Sequence, residues 1–132
     1  MTLLLDTHIL VWFRVEPKRL KAAQKRAVQA SLARGEALAI SAITLWELAW
    51  SASRGRIQTT QPLATWLRTI ERDPRLEVLP ISADVAVQGA QFSGRYPSDP
   101  ADRIIAATAT CAGLTLVTSD DAIRRSGEVL VV

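Results

Sequence analysis

LLLDTHILVW, residues 3–12, is the stretch that decides the fold. Three leucines run directly into Asp6, and apolar residues then resume. An ionised carboxylate is rarely buried without a partner, because removing a lone charge from water is costly. The run therefore reads as a short buried strand, residues 3–5, that surfaces at Asp6 and gives way to a short helix over 8–14.

Outward from this point the same alternation repeats. ALAIS at 37–41, LEVLPI at 76–81, LTLVT at 114–118 and EVLVV at 128–132 read as short strands. Between them lie helical patterns. Pro17 and Gly35 bracket a basic amphipathic helix, TLWELAWSASR ends near Gly55, and PLATWLRTIER stops before Asp73-Pro74. Ser82 caps ADVAVQGAQF, GRYPSDP is a loop, ADRIIAATATCA ends at Gly113, and DAIRRS is a short helix. Buried strands separated by helices predict an α/β fold, a mostly parallel sheet covered on both faces. With 132 residues, no repeat and no linker, residues 1–132 are expected to form one domain.

In such a sheet, sites lie beyond the carboxyl ends of the strands. Asp6 follows the first strand, Glu47 sits early in the helix after the second, Asp102 opens the helix after the Pro-rich loop, and Asp120 follows LTLVT. Each has a local explanation. Thr44-Leu-Trp-Glu47 matches a capping box, and the aspartates suit caps, turns and helix starts. Together they imply more: four acids at one edge repel one another and raise each other's pKa unless a cation is present. Oxygen ligands without clustered His or Cys point to Mg²⁺ or Mn²⁺. A divalent ion so held activates water and neutralises phosphate, the chemistry of phosphodiester hydrolysis.

Composition narrows the field. The hydrophobic share of 48% and charged share of 22% are those of a globular protein. Cys111 is the only cysteine, so no internal disulfide or cysteine-based zinc site forms, and a reducing cytoplasm is expected. No apolar run is long enough to span a membrane, and the N-terminus makes a poor signal peptide. The net charge of +3 is uneven, with the densest stretch at residues 14–34. Seven basic residues and one acidic residue there suit a polyanion such as a nucleic-acid backbone, or simply a solvated helix face.

The ordered set LLLDTHILVW, SAITLWEL, DPADRIIAATA and LVTSDDAI resembles the motif regions of PIN-domain proteins, and more narrowly the VapC-type toxins of toxin–antitoxin systems. The resemblance runs from residue 3 to about residue 123. It implies a three-layer α/β/α PIN-like fold and a Mg²⁺- or Mn²⁺-dependent endoribonuclease that cuts structured RNA such as tRNA or rRNA. It also implies a homodimer and a cognate antitoxin that blocks the site. Residue by residue, Asp6, Glu47 and Asp102 match the acidic metal positions and Asp120 the more variable fourth. Thr7, Ser41 and Thr118 match supporting hydroxyls, and Asp99 an ancillary group. Asp121, next to Asp120, is a possible substitute for it. Arg103 is expected to brace the structure or meet phosphate, since it stays protonated.

Other residues carry weaker signals. His8, the lone histidine, is read as structural rather than as a general base. Trp46 and Trp50, one turn apart, are read as core packing, with an antitoxin groove as the functional alternative. Cys111 is read as inert core. Rival enzymes fit poorly. A phosphoaspartate receiver needs a lysine at a late strand end, and the only lysines are Lys18, Lys21 and Lys25. A haloacid-dehalogenase-like phosphatase needs a second aspartate where His8 stands, and the P-loop motif is absent. A PIN-like module that binds RNA or protein without cutting is the alternative function. A processing or repair nuclease with the same metal site is a third.

Overall fold

The computed structural model describes residues 1–132. Strand β1 is Leu3–Leu5, followed by helix α1 at Thr7–Val15, a 3₁₀ turn at Pro17–Arg19 and α2 at Ala22–Ala33. Then come β2 at Leu38–Ser41, α3 at Ala42–Ser53, α4 at Leu63–Glu71 and β3 at Leu76–Leu79. The last elements are α5 at Ala83–Gln91, α6 at Pro100–Ala112, β4 at Thr115–Val117 and α7 at Asp121–Ser126.

The four strands form one sheet in the order β3-β2-β1-β4, and every pairing is parallel. Alternate side chains along each strand enter opposite cores, as a pleated strand requires. Leu3, Leu5, Leu38, Ile40 and Val117 join Ile9, Leu10, Val28, Leu48 and Ile70 on one face. Leu4, Ala39 and Leu116 join Val85, Ile105, Ala106, Ala109 and Ile123 on the other. The result is the expected three-layer α/β/α arrangement around a parallel sheet.

Helix starts follow from local chemistry. Asp6, Ser41, Ser82, Asp99 and Asp120 each accept hydrogen bonds from the first turn of the helix they precede. Gly113 ends α6 in the left-handed conformation, φ 68°. Gly89 serves a different need. A Cβ there would stand 3.4 Å from the Arg103 carbonyl, so its absence lets α5 lie close on α6.

Two expectations change. Pro17 opens only the 3₁₀ turn, and α2 begins five residues later, after extended backbone at Leu20 and Lys21. The segment EVLVV is not a strand. It makes one isolated parallel bridge, Leu116 to Val131, beside β4.

Arg103 fastens the loop that launches α6. Its guanidinium donates to the carbonyls of Gly89, Phe92, Ser93, Tyr96 and Pro97 at 3.0–3.3 Å. It therefore closes the C-terminal end of α5 and holds the following turn, where α5 leaves carbonyls without helical partners. This is the bracing role expected from its permanent charge. Replacing Arg103 with Ala strands five acceptors and should cost about 2–4 kcal/mol in urea unfolding. Arg103→Lys should recover little, because a compact ammonium lacks the guanidinium's span. A loss below about 1 kcal/mol would show that the fan of bonds is ornamental.

Candidate active site

The chain runs from β1 to β2 to β3 in one direction and then crosses to β4 on the other side of β1. The reversal opens a crevice at the carboxyl ends of β1 and β4, where α/β sheets place their sites. Asp6 leaves β1 there, and Thr118 and Asp120 leave β4.

Asp6 is only 4% exposed, yet fully engaged. Its Oδ1 accepts from the Thr7 N–H at 2.8 Å, and its Oδ2 accepts from the Thr118 hydroxyl at 2.7 Å. The Thr118 hydroxyl in turn accepts from the Asp120 N–H at 3.1 Å, and Asp120 caps α7 through Oδ1. Thr118 thus ties one acid to the backbone of the next.

Glu47 enters from α3. Thr7 donates to its Oε1 at 2.6 Å and shares a 3.1 Å contact with the Thr44 hydroxyl. The helix start is Ser41, not Thr44, so the capping-box explanation of Glu47 fails. Asp102 arrives from the first turn of α6, where its N–H donates to the Asp99 carboxylate at 3.1 Å.

These four acids line one cavity of about 400 Å³ together with Thr7, His8, Trp12, Arg19, Ser51 and Arg56. The remaining expected residues are distributed around it. Thr118 stands behind Asp6. Ser41 is wholly buried and accepts from the Thr108 hydroxyl, so it joins α3 to α6 rather than facing the cavity. Asp99 lines a neighbouring groove of about 620 Å³ that shares Glu47, Ser51 and Arg56 with the acid cavity. Asp121 is exposed and lines neither.

Electrostatics single out Asp102. Burial, followed by the charges of Asp6, Asp99, Glu47 and Asp120, pushes its pKa up to about 7. Burial also raises Glu47, aided by Asp6 and Asp99 and opposed by the Thr7 hydrogen bond. None of the four acids has an ion pair with Lys or Arg, and Asp6 meets only His8 Nδ1, at 3.6 Å. The oxygen donors and their unrelieved charge fit a hard divalent cation. In the chain alone, no three His, Cys, Asp or Glu side chains are close enough to share an ion.

His8 has a structural post. Its Nε2 accepts from the Ser119 N–H at 3.0 Å, which leaves the ring proton for Nδ1, beside Asp6. Gln24 was not anticipated. It is buried and donates to the Thr118 carbonyl and the Ser119 hydroxyl, pinning α2 to the β4 exit. Only its place in an amphipathic helix hinted at it. Trp46 and Trp50 are 55% and 44% exposed and stacked at 5.6 Å, so the core reading is wrong. The helix turns that face outward, along the larger groove. Cys111 is likewise exposed on α6 rather than in the core.

The raised Asp102 pKa has a sign. The folded chain binds this proton more tightly than the unfolded chain, so stability falls as pH rises from about 4 through about 7. In EDTA, Asp102→Asn should melt higher than the wild type at pH 8, and the gap should close toward pH 4. A gap that does not change with pH would mean that burial and the neighbouring acids do not raise the Asp102 pKa.

Comparison with known proteins agrees with this architecture. The PIN domain family matches residues 3–129. Ribonuclease VapC22 of Mycobacterium tuberculosis is 38% identical over 123 residues, 93% of this chain and 90% of that protein. The structure of VapBC2 from Rickettsia felis, bound to a DNA fragment from its promoter, has a TM-score of 0.73 at 22% identity. The match covers 100% of this chain and 98% of that one. A toxin–antitoxin complex from Klebsiella pneumoniae has a TM-score of 0.62 at 26% identity, covering 99% and 96%. With its parallel sheet, its acids gathered at the strand ends and a family match over nearly its whole length, this chain belongs to the PIN-domain family.

Proposed function

We propose that this protein is a metal-dependent endoribonuclease, the toxin of a toxin–antitoxin pair, and that residues 1–132 are one PIN-like domain. One observation carries the reading. Four carboxylates from four different elements converge on one cavity without a single arginine or lysine ion pair. A scaffold that only bound a partner would have no use for this uncompensated charge. The relationship to Ribonuclease VapC22 supports RNA as the substrate, tRNA or rRNA in this reading.

Asp6, Glu47, Asp102 and Asp120 would hold Mg²⁺ or Mn²⁺. When bound there, such an ion would supply a lowered water pKa and charge neutralisation at the scissile phosphate. The chain's own residues prepare that chemistry. Thr118 and the Thr7 N–H fix both oxygens of Asp6, and Thr7 fixes one oxygen of Glu47. Asp120, which lines the cavity, commits Oδ1 to its helix and makes no hydrogen bond through Oδ2. Asp99 sets the first turn of α6 and so the position of Asp102. These bonds limit how far Asp6 and Glu47 can stray, and the acids would still draw together around the ion, since no three stand close enough to share one in the chain alone.

The homodimer and the antitoxin belong to the same proposal, as does a cytoplasmic location. The Klebsiella complex supports an antitoxin partner. The Trp46–Trp50 groove is an exposed apolar surface suited to either protein contact. No helix is long and apolar enough to cross a membrane.

The test is cleavage of a pool of total tRNA and rRNA by purified, antitoxin-free protein. Discrete fragments are expected in Mn²⁺, none in EDTA, and at least about a 100-fold loss in Asp102→Asn. Millimolar Mg²⁺ or Mn²⁺ should also raise the melting temperature of the wild type, an effect blunted in Asp6→Asn and Asp102→Asn. No cleavage by folded wild type with either metal would favour a non-cleaving binding module.

A further inference from the structure

Two arginines line the acid cavity without pairing with its acids. Arg19, at the end of the 3₁₀ turn, comes from the α1 side, and Arg56, just after α3, comes from the other. Arg56 has no ion pair, and the only one Arg19 makes is with Glu16 at 3.8 Å, where both side chains are exposed. Such a pair is weak and easily exchanged. Arginines beside unpaired carboxylates would ordinarily close on them, so their holding apart needs a cause.

For Arg19 the cause is visible. Its guanidinium lies over the Trp12 ring, 4.8 Å from the centroid. Trp12 meets His8 edge to face at 5.0 Å, and His8 is pinned by the Ser119 N–H. This contact holds the cation at the cavity wall, and apart from the loose Glu16 pair its donors make no hydrogen bond within the chain. Arg56 reaches the wall where the acid cavity joins the larger groove, and it lines both. One guanidinium held against a ring and one exposed and unpaired, next to a site that handles a phosphodiester, suit phosphate oxygens, which arginine grips in pairs.

The geometry points to Arg19 and Arg56 as the positioning residues for the RNA backbone, each gripping a phosphate that flanks the bond to be cut. This rests on the ribonuclease reading and adds to it the residues that orient the strand. The carboxylates alone would repel RNA, and the two arginines bring its phosphates in.

The experiment measures initial cleavage rates on the same total tRNA and rRNA pool in Mn²⁺ across a KCl series. Arg19→Ala and Arg56→Ala are compared with Arg72→Ala, which removes an exposed charge at the end of α4, where the chain enters β3 at the far end of the sheet. Each cavity variant should raise the apparent KM about fivefold or more while kcat holds within about twofold. Each should also flatten the slope of log kcat/KM against log salt by about 0.7, one single-strand phosphate contact. Arg→Lys at either position should restore the slope, and Arg72→Ala should change neither quantity.

Several results would overturn the assignment alone while leaving cleavage intact. These are unchanged KM and slope, an equal effect of Arg72→Ala, or a loss of kcat that tracks a lowered melting temperature. Absence of cleavage by the wild type would instead overturn the ribonuclease reading, and this proposal with it.

Discussion

The hydrogen bond from the Thr118 hydroxyl to Asp6 is the link on which the rest of the site depends. It joins the exits of two strands that lie side by side in the sheet but are separated by 112 positions in the chain. Because the same oxygen accepts from the Asp120 N–H, one side chain fixes the distance between two acids. A threonine does this without adding charge. It can donate to a carboxylate and accept from an amide at once, and its β-branch stiffens the rotamer that points between them.

Behind that link the support is layered. Gln24 holds the Thr118 carbonyl from α2, and His8 holds the Ser119 amide from α1. Every buried polar side-chain atom has a partner, which matters where repelling carboxylates crowd a partly dry crevice. The cost of burial, with like charge added to it, is then concentrated on Asp102 and Glu47, and the surrounding polar groups are satisfied. Tertiary structure carries the cost of assembling an acidic site, and the acids themselves are not built to be stable alone.

Much of this was legible in the chain. Asp6, Glu47, Asp102 and Asp120 stood out because each followed a strand or opened a helix, and parallel topology puts those points on one edge. Caps at Asp6, Ser82, Asp99 and Asp120 and the stop at Gly113 were legible because such residues act locally, whereas spacing points to Thr44 as the start of α3 and Ser41 caps it instead. What could not be read depended on distant partners. The break at Leu20 and Lys21 is set by where α2 must lie, not by Pro17. The outward face of Trp46 and Trp50 depends on how α3 sits at the margin of two cores, which periodicity does not reveal. Gln24 is an ordinary residue in a basic helix until the fold brings it to Thr118. EVLVV has the composition of a strand, but only one bridge forms there.

That last segment has a consequence for the behaviour of the sheet as a surface. A parallel sheet has two open margins, each a row of unpaired backbone groups that invites another chain. Residues 130–132 lie along β4 and take up its outer groups, with Leu116 bonded to Leu130 and Thr118 to Val132. The opposite margin, β3, is only four residues long, carries the exposed Glu77 and is flanked by Pro74 and Pro80. One margin is thus covered by residues 130–132 and the other is short, charged and proline-bounded. Both devices disfavour strand-by-strand growth into a fibre and shift association toward helix faces and grooves.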